Sequence, residues 1–398
     1  MNENGYGFSD EQAKHTLVVF LDIDDVEKIF VASAPGRLEI LGNHTDYNEG
    51  FVLSCAVDQR LRIAFSKSSQ SKCEIYSADL CQHLEFSLEE AAQFDSSKKH
   101  WGNLIRAVVA ELQRRSVSLP PFQAAICSSI PFSAGMSSSA ALEVALITGL
   151  LKLSGAELSP GDIARVGQAA ESAATGARTG LMDQLTSCLG RPDQLVLSEY
   201  RGLSVRHVAM PAGYAWVVVD SGEKHDLSQE YNQRRAACER AAAVLAKLEA
   251  GVSTLRDVSP ATLERHAAAI GEDLPFARHV VEECDRVLRG EKLLLAGDVA
   301  AFGQLLFDSH LSSQNNFRNS CLGLDRLVGF ARQDRRCLGA RLSGGGFGGV
   351  SIHLVKASDA EAYAADIAKA FTRDGKVPWH TIARIGGGPS VNELRIKN

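Results

Sequence analysis

The sequence predicts an α+β protein built as two packed domains. Three observations carry this expectation. Its 398 residues exceed what one hydrophobic core usually serves. Apolar residues make up 45% and charged residues 23%, the balance of an ordinary globular chain. Strand-like and helix-like runs are intermixed without the regular alternation that a parallel α/β sheet requires.

In chain order, strand-like runs fall at 31–33, 122–126, 216–219 and 350–355. Leu142, Leu146, Leu150 and Leu153 share one helical face, with Glu143 and Lys152 the only charges nearby. That pattern predicts a buried helix. Tyr231, Cys238 and Leu245 recur at heptad spacing and predict a second helix, with Asp226 as its N-cap. Pro211 and Gly213 break the chain before a new strand, which places a boundary between residues 1–210 and 211–398.

The net charge of -6 gives no support to nucleic-acid binding and argues against attraction to an acidic membrane surface. An anionic substrate must be met by local features. The nine cysteines are an odd number without a Cys-x-x-Cys pair or metal-ligand spacing, which fits free thiols in a reducing cytoplasm. Residues 1–10 have no apolar core of a signal peptide, and no apolar run is long enough to span a membrane. The expectation is a cytoplasmic protein, monomeric or weakly homo-oligomeric, with a small-molecule partner and neither nucleic acid nor membrane.

Three stretches carry chemistry. Residues 130–143, IPFSAGMSSSAALE, run small residues and Ser137, Ser138 and Ser139 into the buried helix. A helix start offers free N–H groups and positive partial charge, which suits phosphate. Small side chains, Gly135 among them, let the backbone come close to phosphate oxygens. A serine-capped core helix would look the same, and no Walker-type loop is present. Residues 34–50, APGRLEILGNHTDYNEG, crowd Arg37, Glu39, Asn43, His44, Asp46 and Tyr47 together. Such a set can grip several hydroxyls, or it can be a polar surface loop. Residues 343–349, SGGGFGG, place five glycines around one phenylalanine ahead of an alternating strand, as close backbone approach to a ligand, or a tight turn, would require.

Together these stretches resemble the signature set of the family uniting galactokinase, homoserine kinase, mevalonate kinase and phosphomevalonate kinase, and within it the galactokinases most. The segments from Glu171 through Gly180 to Gln184 and from His225 to Arg235 add to that likeness, which runs from about residue 30 to about 355. The resemblance implies a ribosomal-protein-S5-domain-2-like N-terminal domain, a ferredoxin-like C-terminal domain and an active site between them. It implies ATP and Mg2+ as cofactors. Gly135, Ser137, Ser138 and Ser139 would line the phosphates, with Trp101 as the adenine wall. Ser139 and Glu171 would hold Mg2+. Asp183 would be the general base, with Arg37 beside it, and Asn43, His44, Asp46, Gly180 and Tyr231 would contact the sugar. The reaction implied is transfer of the γ-phosphoryl group of ATP to the anomeric hydroxyl of galactose.

The chain departs from the family pattern. Glu39 stands where an Asn is usual, and Asn43 stands where a Glu usually contacts the hydroxyl on C6. Ser133 replaces a Gly, and residues 312–323 and 385–389 follow no familiar pattern. A neutral Asn43 would exclude galacturonate less than a Glu does. The alternatives are therefore a kinase for galacturonate or N-acetylgalactosamine, or a non-catalytic sugar sensor on the same fold. A phosphatase-like Asp22-x-Asp24 pair has no supporting set downstream.

Overall fold

A computed structural model describes residues 9–20, 29–98, 100–131, 135–223, 228–372 and 375–394. Asp22, Asp24, Ser133, His225 and the proposed N-cap Asp226 lie outside the described residues. The chain forms two sheets. The first opens with a long antiparallel pair, β1 (Ile29–Leu41) and β2 (Phe51–Lys67). Their register shifts between Pro35 and Arg37 and again between Glu39 and Leu41. Such irregularities re-aim side chains, and Arg37 and Glu39 sit between the two. β3 (Lys72–Ser77), β4 (Gln82–Ser87) and β5 (Phe122–Ser128) extend the sheet on one side of β2. β6 (Gln194–Glu199) pairs with the other end of β2, and β7 (Ser204–Ala209) with β6.

The second sheet is antiparallel and holds β8 (Tyr214–Asp220), β9 (Cys337–Ser343), β10 (Val350–Lys356) and β11 (His380–Ala383), in the order β11-β8-β10-β9. The break at 211–213 falls between β7 and β8. The last strand, β12 (Ser390–Leu394), leaves the C-terminal half and pairs with β1, so residues 211–398 do not keep all their strands in one sheet. This pairing covers an edge of β1 that would otherwise expose unpaired backbone groups.

Helices α1 (Asp10–Phe20), α2 (Trp101–Arg114), α3 (Ser138–Ser154), α4 (Pro160–Thr175), α5 (Met182–Leu189) and α6 (Ser228–Leu248) follow in order. The leucine-rich helix is α3, and its Ala141, Val144, Leu146 and Leu150 are buried in the main core beneath the first sheet. Cys238 and Leu245 of α6 are fully buried in a separate core shared with the helix Leu274–Leu295. The polar stretch 34–50 is not a surface loop. Its first half is β1, buried almost throughout, and this is tolerated because its charged side chains meet buried partners.

Candidate active site

A cavity of about 380 Å³ opens between the two sheets, a size suited to a small ligand. Its centre is Asp183, in the first turn of α5. Arg37 of β1 donates from Nε to Asp183 Oδ1 at 2.6 Å and from Nη2 to Oδ2 at 2.7 Å, and its Nη1 donates to the Gly135 carbonyl at 2.6 Å. This forked geometry is the strong arrangement for an arginine and a carboxylate. Burial opposes the charge on Arg37, yet Asp183 holds its pKa above the ordinary value. The Ser137 hydroxyl also donates to Asp183 Oδ2. Ser137 caps α3 with a left-handed backbone (φ 53°) and no side-chain bond to the helix, so its hydroxyl is available to another acceptor.

Two residues further along, Ser139 Oγ donates to Glu171 Oε1 at 3.1 Å. Thr179 Oγ1 and Gln184 Nε2 donate to Glu171 Oε2, each at 3.1 Å. Burial, and then the neighbouring Asp183, raise the Glu171 pKa, so this carboxylate would gain from a cation. No cluster of three acidic, His or Cys side chains able to hold a metal occurs among the described residues. Magnesium bound together with phosphates needs only one or two protein oxygens, and the hard donors Ser139 and Glu171 fit that role.

The cavity's other wall comes from 39–46. Asp46 is half-buried; burial pushes its carboxyl up to about 6, against hydrogen bonding from the Tyr47 amide. A Cβ at Gly180 would lie 1.5 Å from Asp46 Oδ2, so glycine is required there to make room for the carboxylate. His44 stacks between Tyr231 and Phe317, with ring centroids 4.9 and 4.4 Å away. Its Nε2 lies 3.1 Å from the Gly345 carbonyl and its Nδ1 2.9 Å from the Tyr47 hydroxyl. A carbonyl only accepts, so Nε2 carries the proton and Nδ1 accepts from Tyr47. Burial lowers the His44 pKa to about 3, which keeps the ring neutral.

The family resemblance assigns Asn43 to the sugar. It lines the cavity, but its carboxamide is occupied by the protein. Nδ2 donates to Glu39 Oε1 at 2.8 Å and to the Gly344 carbonyl at 2.9 Å. Oδ1 accepts from Asn319 Nδ2 at 2.8 Å and from Ser313 Oγ at 3.4 Å. The backbone N–H groups of Gly42 and Asn43 donate to Glu283, itself ion-paired to Arg286 at 2.6 Å. Both ring nitrogens of His44 are likewise engaged, so this residue fastens 43–47 to the glycine loop 344–349.

The cavity brings together Arg37, Asn43, His44, Asp46, Gly135, Ser137, Ser138, Ser139, Glu171, Gly180, Asp183 and Tyr231. Trp101 is the exception: it opens α2 with its indole half-buried against the main core and does not line the cavity. Glu283 and Asn319 were not anticipated. Both are fully buried and stand far along the chain from the residues they hold, so no local spacing announces them.

The comparisons with known proteins fit this arrangement. Residues 20–67 match a galactokinase galactose-binding signature, residues 103–191 the GHMP kinases N terminal domain and residues 291–373 the GHMP kinases C terminal domain. A galactokinase of Chloroflexus aurantiacus is 37% identical over 363 residues, covering 90% of this chain and 93% of that one. The chain belongs to the galactokinase family. A second galactokinase, from Pasteurella multocida, is 40% identical over 83% of this chain and 86% of its own. Among solved structures, Lactococcus lactis galactokinase complexed with galactose superposes with a TM-score of 0.89 at 26% identity, covering 95% of this chain and 98% of that one. A mevalonate kinase, at 18% identity and a TM-score of 0.64, shares the fold. The α+β, two-domain GHMP kinase fold is therefore that of this galactokinase-family chain, a sugar kinase whose family uses ATP.

Proposed function

We propose that this chain transfers the γ-phosphoryl group of ATP to the anomeric C1 hydroxyl of galactose, giving galactose 1-phosphate and ADP. The observation that carries this is the forked Arg37–Asp183 pair, set beside the α3 start on one side and the hydroxyl-binding wall of Asp46 on the other. Asp183 takes the proton of the C1 hydroxyl as that oxygen bonds to the γ-phosphorus and the bond to ADP breaks. Phosphoryl transfer leaves a protein mainly positioning and charge stabilisation, and Arg37 supplies both by orienting Asp183 and facing the transferring group. The free N–H groups at the start of α3, with Gly135 and Ser137–Ser139, would receive the phosphates.

Ser139 and Glu171 would hold Mg2+, which would supply positive charge to offset that of the phosphates. Turning the Ser137 hydroxyl from Asp183 to a phosphate would free a lone pair on the base. Asp46, Gly180 and Tyr231 would face the sugar, with His44 acting through the glycine loop. The test pairs product analysis with one substitution. The unmodified protein should form one galactose 1-phosphate for each ADP. Asp183→Asn keeps the size and loses the basicity, so turnover should fall by about 10²-fold or more with ATP affinity nearly unchanged. Near-normal turnover in Asp183→Asn would remove the base from this scheme.

A further inference from the structure

Glu39 lies on β1 between the two register shifts, and it lines the cavity although only 3% of it is exposed. Its Oε1 accepts from Asn43 Nδ2 at 2.8 Å and from Arg341 Nη1 at 3.0 Å. Its backbone N–H donates to Ser343 Oγ at 2.9 Å. The second carboxylate oxygen, Oε2, accepts no hydrogen bond among the described residues, and it is not one of the sealed, unpartnered polar atoms of the interior. An ionised carboxylate has about four acceptor sites, so Glu39 keeps capacity on its cavity side. Asn43 keeps none, since both its donors and both its acceptor sites are taken. A polyol entering here meets an open acceptor at residue 39, in addition to the carboxylate of Asp46.

We infer that Glu39, rather than Asn43, accepts a hydrogen bond from a substrate hydroxyl at this wall, and that Asn43, Asn319 and Arg341 position its carboxylate. The inference rests on the sugar-kinase reading of the cavity. The carboxylate and the carboxamide touch each other, so moving the acid from position 43 to position 39 leaves negative charge at the wall. A sugar whose carboxylate replaces the hydroxyl that Glu39 receives is repelled there. Arg341 is fully buried on β9 and also donates to the Glu39 and Ile40 carbonyls, at 3.2 Å each. It thereby ties the position of Glu39 to the second sheet.

The test measures kcat and KM for galactose and its 2-, 3-, 4- and 6-deoxy analogues in the unmodified protein, in Glu39→Gln and in the exchange variant Glu39→Asn/Asn43→Glu. In the unmodified protein, one analogue should lose about 10²-fold or more in kcat/KM, because removing a hydroxyl from a site built to bond it leaves a buried group unpaired. In Glu39→Gln, galactose should weaken by about tenfold, mainly in KM, with the KM for ATP unchanged. The penalty on that one analogue should shrink about fivefold or more, as a charged acceptor becomes neutral. The other three penalties should stay. The exchange variant restores a carboxylate against the same amide and should recover the discrimination. It carries the test by itself if Glu39→Gln does not fold. A uniform loss over all five sugars, or a raised KM for ATP, would overturn the inference and leave Glu39 a structural residue. An unmodified protein that releases no ADP with any of these sugars would overturn the kinase reading and this inference with it.

Discussion

At the scale of single residues, the site works by pairing each buried charge with a group that also directs it. Arg37 and Asp183 are the case in point: removing Asp183 leaves Arg37 buried and uncompensated, which typically costs about 3–5 kcal/mol. Asp46 is different, since it makes no ion pair among the described residues and burial raises its pKa from 3.8 to about 6. The sign follows from that direction. The folded protein binds this proton more tightly than the unfolded chain, so the group favours folding below about pH 4. That contribution is lost as pH rises toward 6, and the ionised form carries a cost at neutral pH. In the proposed site, sugar binding would need the opposite state, because an ionised carboxylate can accept from hydroxyls at both oxygens. The KM for galactose should therefore rise as pH falls through about 6, with the KM for ATP little affected, and Asp46→Asn should flatten that limb. An unchanged acidic limb in Asp46→Asn would assign the titration elsewhere. Most of these residues were legible in the sequence, because 34–50 concentrates them in one short stretch. Their division of labour was not. Glu39 and Asn43 read as a simple loss of the acid at 43, and only the 2.8 Å contact between them shows the acid kept at the same wall.

At the scale of elements, α3, α4 and α5 each bring one part of the proposed site to the cavity: α3 its N-terminus, α4 Glu171 and α5 Asp183. The buried helix α3 was visible from its leucine spacing, because a helix covered on several sides leaves an apolar period that local pattern reveals. The segment Ser313–Phe317 was not visible. It is a π-helical turn following Val299–Ser312, a wide turn frequent at functional sites. It brings Ser313 and then Asn319 onto Asn43, and a Cβ at Gly346 would lie 2.1 Å from the Asn319 carbonyl. That contact needs a left-handed glycine, with φ of 83°, in a loop whose sequence shows only an abundance of glycine. Trp101 shows a related ambiguity. An aromatic at a helix start serves a ligand or a core equally well, and here it packs on the core. The element-level test concerns α4. Glu171→Gln removes one negative charge beside Ser139 and should raise the Mg2+ concentration needed for half-maximal activity well above any change in the KM for galactose. A shift confined to the sugar would move Glu171 out of the phosphate end of the cavity.

At the scale of the whole molecule, the cavity exists because the two sheets meet along β1 and β9. Glu39 and Arg341 cross that junction, as do Asn43 and His44 with the carbonyls of Gly344 and Gly345. The wall facing the sugar is therefore built from both halves of the chain, and a ligand between them contacts each. The two-domain α+β architecture followed from length and mixed patterning, whereas the return of β12 to β1 left no local trace, since five residues of an edge strand carry little hydrophobic signal. Selectivity for galactose is decided by ADP release from the unmodified protein over a panel of hexoses and uronic acids at fixed ATP and Mg2+. Galactose should give the highest kcat/KM, with galacturonate lower by about 10²-fold or more because its carboxylate would meet Glu39 or Asp46. Equal or faster turnover of galacturonate, or ADP release that no sugar stimulates, would contradict that selectivity.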